Sequence, residues 1–327
     1  MTNNLIRPYT GDDILKIPEE SYIPIVENIL YKNDLAVAVG KYKSNKSILA
    51  MQLTCSTSSG TPFLNMFEVP TPQIVWYFST EGKDNEIKDR FLRMSKIIPT
   101  NLENIILFCS TQFKFNTDTG IDIIKQLVKK YKDKLPSLIV IDSLYSGFKG
   151  TLIKDDQMNE FITVVRGLME ACNNSACFIT THMTKESVDA NGKPIPQTSN
   201  NAYGSVFLLG QADHVFTIEK CRKNGMERII SCTAENQRSG NIIEKVRVLF
   251  NEPSPLYLSL IPFHKEEEHK ITKLLSAYKE GLSAKELKLK SKIKQSLLYM
   301  VLNEMVGDGK IVKSETYSGK YTLKGDN

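Results

Sequence analysis

The run Leu35-Ala36-Val37-Ala38-Val39, with Gly40 behind it and Lys46-Ser47 six residues further on, constrains the fold more than any other stretch of the chain. A short alternating apolar run of this kind reads as a buried parallel strand. Gly40 opens a polar loop through Lys41, Tyr42, Lys43, Ser44 and Asn45. Lys46-Ser47 then begin a helix whose apolar positions, Ile48, Leu49, Met51 and Leu53, suit a face packed on a sheet. Strand, loop, Lys-Ser and helix together form the context of a phosphate-binding loop. Backbone N–H groups of the loop and first helical turn face a phosphate, the lysine neutralises β/γ charge, and the serine hydroxyl reaches Mg²⁺.

The motif G-x-x-x-x-G-K-[ST] is met at Gly40, Lys46 and Ser47, with Asn45 in place of the second glycine. Glycine serves there because the backbone can require positive φ, and asparagine is the commonest substitute in that region. The expectation is a loop that still closes, with Gly40, Lys43, Ser44, Asn45, Lys46 and Ser47 as nucleotide-binding residues. The competing reading is an ordinary strand–helix turn that carries Lys-Ser by chance.

Further apolar runs follow at Gln73–Phe78, Ile105–Cys109, Ser137–Asp142 and Ala176–Thr181, separated by helical patterns at Asn85–Lys96, Ile121–Lys132 and Gln157–Cys172. Strands alternating with helices of 10–15 residues predict an α/β fold: a mainly parallel sheet with helices on both faces. After Thr181 the pattern changes to short strands at His214–Glu219, Arg228–Thr233 and Lys245–Phe250. Asn224-Gly225 is a hairpin signal between the first two, so this part reads as an antiparallel β extension. Three prolines in 251–264 mark a boundary, giving a core of 1–263 and a small domain of 264–327. The tail pattern of three helices and a β hairpin suits a winged helix-turn-helix.

Composition narrows the function classes. The 327 residues are 41% hydrophobic and 24% charged, ordinary for a globular protein. No apolar run is long enough to span a bilayer and the N-terminus has no hydrophobic signal core, so no membrane partner and a cytoplasmic location are expected. The six cysteines contain no C-x-x-C, and the four histidines form no ligand spacing with them; neither zinc nor disulfides are expected. Of the net charge of +5, the segment 264–327 carries +4, from 13 lysines against 9 acidic residues, which points to an anionic partner there.

Nucleotide chemistry needs more than a cradle. Asp142 closes an apolar strand, at the sheet edge where α/β proteins bind ligands, and suits an acid that works with Mg²⁺; strand-ending aspartates also serve as turn or cap residues. Glu81 ends the second strand at the same edge, as a water-orienting carboxylate or as a solvated turn residue. His182 ends the fifth strand, as a γ-phosphate donor or as a hydrogen-bonded strand-end histidine.

The stretches GKYKSNKS, SGTPFLNMFEVP with VWYFSTEG, LIVIDSL, ITTHMTK, AYGSVFLLGQADHV and ENQRSGNIIEKVRVLF, in this order, resemble the RecA-like ATPase family of RepA-type hexameric replicative helicases, with DnaB-type helicases as distant relatives. The resemblance covers about residues 15 to 262 and implies a RecA-like fold. It implies ATP and Mg²⁺ as cofactors, held by Lys46, Ser47 and Asp142, with Glu81 polarising water and His182 sensing the γ-phosphate. Arg238 matches the arginine that reaches into the next subunit's site, which implies a homo-oligomeric ring, a hexamer in this family. Relatives often carry lysine where this chain has Asn236. Loops at 147–156 and 183–201 match those that hold single-stranded DNA in the channel, with Lys149, Lys154, Lys185 and Lys193 as phosphate contacts. Lysines on loops are also commonly just solvated. Lys288, Lys290 and Lys292 in the tail suit duplex DNA phosphates, although winged helices also contact proteins. The expected function is an ATP-dependent nucleic-acid motor, a plasmid- or phage-type replicative DNA helicase. The alternatives are a nucleotide-binding DNA-binding or regulatory protein with weak hydrolysis, and a recombinase-like filament ATPase.

Overall fold

The structure, a computed structural model, describes residues 10–16, 23–152, 154–183, 206–220, 227–232, 243–250, 258–261, 265–293, 298–299, 301–302, 305–306, 309–314 and 319–324. The chain divides into two compact units, Met1–Leu260 and Ile261–Asn327.

In the first unit the chain runs β1 (Leu35–Gly40), α1 (Lys46–Ser59), β2 (Val75–Ser79), α2 (Asp84–Met94), β3 (Ile105–Cys109), α3 (Asp118–Lys130) and β4 (Leu138–Asp142). It continues through a one-turn helix α4 (Leu144–Gly147), α5 (Asp155–Ala171), β5 (Ala176–His182), α6 (Val206–Gln211) and the strands β6 (His214–Lys220), β7 (Glu227–Cys232), β8 (Ile243–Phe250) and β9 (Leu258–Ile261). One nine-stranded sheet takes them in the order β9-β8-β7-β6-β1-β5-β4-β2-β3. The segment from β6 to β3 is parallel; β7 joins β6, and β8 joins β7, antiparallel. This is the expected α/β arrangement, a mainly parallel sheet with helices on both faces and an antiparallel extension.

Period-two alternation decides how the sheet is covered. Ala36, Ala38, Val75, Tyr77, Leu138, Val140 and Phe178 point to one face and pack with α1. Leu35, Val37, Val39, Trp76, Phe78, Ile139, Ile141 and Ile179 point to the other and pack with α5. Each fully buried aliphatic or aromatic side chain here contributes about 1.5–3 kcal/mol relative to exposure. With both faces covered, functional groups of the central strands reach solvent only at the strand ends.

α1 departs from the amphipathic expectation. It is buried on every side, including Gln52, Thr54, Ser56, Thr57 and Ser58. Small hydroxyl residues fit tight helix packing, and two of them satisfy themselves locally: Thr54 Oγ1 donates to the Ala50 carbonyl (2.9 Å) and Ser58 Oγ to that of Cys55 (2.8 Å). α1 starts at Lys46 as expected and α2 one residue before Asn85, whereas α3 and α5 start three and two residues earlier than the apolar pattern predicts, because polar first turns extend them. Thr117 Oγ1 accepts from Gly120 N at the start of α3, and Asp155-Asp156 open α5.

The second unit has its own core. α7 (Lys265–Ala277), α8 (Ala284–Ser291) and an antiparallel pair, β10 (Ile311–Lys313) with β11 (Tyr321–Leu323), surround Ile271, Leu275, Leu287, Leu298, Leu302, Ile311 and Tyr321. Ser283 and Glu286 form a capping box at the head of α8. No helix among the described residues is long and apolar enough to cross a membrane.

Candidate functional site

The site is built where β1, β2, β4 and β5 end. Gly40 pairs with His182 across β1 and β5, and Ser79 with Asp142 across β2 and β4, so one sheet edge presents all of these positions. A Cβ on Gly40 would lie 2.7 Å from the Ile218 carbonyl oxygen and would clash with the Ser44 hydroxyl, which explains a glycine there.

From Gly40 the loop turns through two left-handed residues, Lys43 (φ 59°) and Asn45 (φ 74°). The sequence expectation that Asn45 stands in for glycine at positive φ therefore holds at the level of the backbone. Asn45 precedes α1 but makes no side-chain cap to it. Its Oδ1 instead accepts from Arg228 Nε (2.9 Å) and Nη2 (2.6 Å) on β7. Ser44 is buried, whereas Lys43 is exposed with its ammonium 5.5 Å from the Tyr42 ring centroid.

Lys46 is only 6% exposed. Its ammonium donates to the carbonyls of Gly40 (2.8 Å) and Lys41 (3.0 Å), and lies 3.2 Å from His182 Nδ1. Burial pulls its pKa down to about 8, against the opposing pull of Asp142 and Glu81. The half-buried His182 is also held below its ordinary value, first by burial and then by the Lys46 charge. A lysine donating to Nδ1 leaves the ring proton on Nε2.

Asp142 is enclosed by donors: Ser47 Oγ (3.0 Å) and Thr180 Oγ1 (2.6 Å) on Oδ1, and Tyr77 OH (2.7 Å) on Oδ2. Burial and the neighbouring carboxylate keep the Tyr77 phenol protonated. Glu81 is exposed, and its Oε1 accepts from Ser143 Oγ (2.5 Å) and Ser146 Oγ (3.0 Å). Thr80 Oγ1 locks the two strand ends, accepting from Ser143 N (2.9 Å) and donating to Ser143 O (2.7 Å).

The structure thus brings Gly40, Ser44, Asn45, Lys46, Ser47, Glu81, Asp142 and His182 together. Lys149 and Lys154 are exposed on the segment between α4 and α5, and the Lys149 backbone is pinned in both directions to Asn116 (2.8 Å each). Arg238, Asn236, Lys185 and Lys193 lie outside the described residues. In the second unit Lys288, Lys290 and Lys292 are exposed, with Lys290 Nζ 2.8 Å from Tyr278 OH. Tyr77, Thr180, Ser143, Ser146 and Arg228 were not singled out from the sequence. Thr180 and Ser143 lie beside strand-end positions that were, whereas Tyr77 and Arg228 carried no local signal.

The profile of a family described as "AAA domain" matches residues 9–188. No curated protein matches the chain. Among similar solved structures is a KaiC-like protein from the hyperthermophilic archaeon Pyrococcus horikoshii, with 13% identity and a TM-score of 0.48 over 73% of this chain and 94% of that one.

Proposed function

The chain belongs to the AAA-domain family of P-loop ATPases, and from that premise we propose that it is an ATP-driven oligomeric motor on nucleic acid, a plasmid- or phage-type replicative DNA helicase. The observation that carries the reading is the convergence of Lys46, Ser47, Glu81, Asp142 and His182, linked by the Ser47–Asp142 and Lys46–His182 contacts.

The residues fit ATP with Mg²⁺. The first turn of α1 has no side-chain cap, so its N–H donors suit phosphate oxygens. The Ser47 hydroxyl and Asp142 carboxylate put hard oxygens side by side for the cation. Held by Ser47 and Asp142, Mg²⁺ would supply positive charge against the phosphates. Lys46 adds a cation from the protein side. Glu81, with one oxygen fixed by Ser143 and Ser146, orients the attacking water through the other. His182 offers its Nε2–H to the γ-phosphate.

Arg238 of a neighbouring subunit completes the site in this reading, which makes the working form a ring, a hexamer by resemblance. Lys149, Lys154, Lys185 and Lys193 hold single-stranded DNA. The second unit acts as a winged helix, supported by its helices and antiparallel pair, with Lys288, Lys290 and Lys292 on duplex phosphates. The test is ATP turnover with and without single-stranded DNA, together with strand displacement on a forked duplex. DNA-stimulated turnover with unwinding is expected. ATP binding without turnover would instead favour a nucleotide-binding regulatory protein, the reading that Asn45 in the glycine position supports.

A further inference from the structure

The loop position that usually holds glycine has been replaced by a pair of residues rather than by one. Asn45 keeps the left-handed backbone, at φ 74° and ψ 29°. Arg228 is 183 positions away in sequence and only 5% exposed, yet it places two N–H groups on the single Asn45 Oδ1. The sheet register explains how it reaches. Gly40 pairs with Ile218 across β1 and β6, and Lys220, two residues beyond, pairs with Arg228 of β7. The guanidinium therefore emerges at the edge where the phosphate loop begins.

Asparagine just before a helix has a strong alternative. With extended φ and ψ, its side-chain oxygen accepts from the N–H of the second or third helical residue. In this chain those donors belong to Ser47 and Ile48, in the first turn of the phosphate cradle. An asparagine that capped its own helix would leave the left-handed conformation and occupy donors that a phosphate needs. Glycine has no such alternative, because it has no side chain.

We propose that Arg228 is a positioning residue for the nucleotide site: by holding the Asn45 amide outside the cradle it fixes the left-handed turn and keeps the first-turn N–H groups available to phosphate. This rests on the nucleotide-binding reading of the loop. It makes Arg228 necessary because Asn45 is present, and dispensable for this purpose when glycine takes that place.

The experiment is a double-mutant cycle on the full chain, read as the Kd for Mg²⁺ with a hydrolysis-resistant ATP analogue. Arg228→Ala is expected to weaken binding about tenfold, as for loss of hydrogen bonds to a charged donor. In the Asn45→Gly background the same change is expected to cost less than about twofold, so that the cycle shows coupling. KM for ATP should rise while kcat at saturating ATP changes less, because the loop is misplaced before the nucleotide binds. If Arg228→Ala does not fold, Arg228→Lys takes its place in the cycle: lysine keeps the charge and loses the fork, and its smaller effect should vanish in the Asn45→Gly background in the same way.

Equal loss in both backgrounds would show that Arg228 acts on the phosphates directly or through the fold, and would overturn the proposal. No loss in either background would overturn it as well. Both of these leave nucleotide binding itself standing. Absence of nucleotide binding by the unsubstituted chain would overturn the functional reading and this inference together.

Discussion

Lys46→Met should make the nucleotide-free protein more stable at neutral pH while removing its affinity for ATP. The Lys46 ammonium is buried, with its pKa pulled down to about 8, whereas in the unfolded chain it titrates near 10.4. Between these values the unfolded state binds more protons, so stability rises with pH. The contribution is fully present above about 10.4 and is lost as pH falls through about 8. By linkage the charged lysine costs the folded state about 3 kcal/mol at pH 7 and about 0.7 kcal/mol at pH 10, a swing of about 2.5 kcal/mol. Methionine removes that cost and also removes donors to the Gly40 and Lys41 carbonyls, worth about 1 kcal/mol each. The substituted protein is therefore expected to be about 1 kcal/mol more stable than wild type at pH 7 and less stable at pH 10. Urea unfolding of both proteins across that range gives the difference curve, in which the titration of groups remote from Lys46 cancels. A flat difference curve would refute the reasoning, because it would mean that burial does not discriminate against the lysine charge.

Tyr77→Phe removes a buried phenol donor from Asp142 Oδ2 and should cost about 1.5–3 kcal/mol in urea unfolding. The His182 imidazole should titrate by NMR below the ordinary histidine value, and higher in Lys46→Met than in wild type, because the lysine charge is one of the two causes of its depression. Arg238→Ala should bind ATP nearly as wild type does and lose about 10³–10⁵ in turnover. Mixing its subunits with Glu81→Ala subunits should restore part of the rate, and co-assembled mixtures as inactive as either parent would refute a shared site. Deleting 264–327 should leave a folded core that binds ATP with weaker duplex-DNA affinity; unchanged affinity and salt dependence would remove the tail as a DNA contact.

What the sequence revealed was set by how local each cause is. The strand Leu35–Gly40 and the turn at Asn45 depend on side-chain branching and on φ preferences of single residues, and both were readable one residue at a time. Asp142 and His182 were visible because each is a polar group ending an apolar strand, and Glu81 because it lies two residues past the end of one. Tyr77 was hidden for the complementary reason. It lies within the strand VWYFS, whose alternation assigns it to the core, and only the β2–β4 pairing shows that its hydroxyl reaches Asp142. Arg228 required more still, since its contact with Asn45 depends on the β6–β7 register as well as on the neighbour of β1. The all-round burial of α1 escapes a periodicity, in which small polar residues count as solvent-facing, whereas in packing their size matters more than their polarity.

That burial has a mechanical consequence. A helix buried along its length resists rolling, because turning α1 would move side chains out of the packing around it. The helix acts as a fixed anvil beneath the phosphate loop. Beside it lies the row of strand ends near which Glu81, Asp142 and His182 sit. The serines that grip Glu81, one of them on the short helix α4, make that row a linkage in which one carboxylate is hinged to the next segment of chain. Glu81 is thereby tied to the first turn of chain beyond β4, through Ser143 and Ser146.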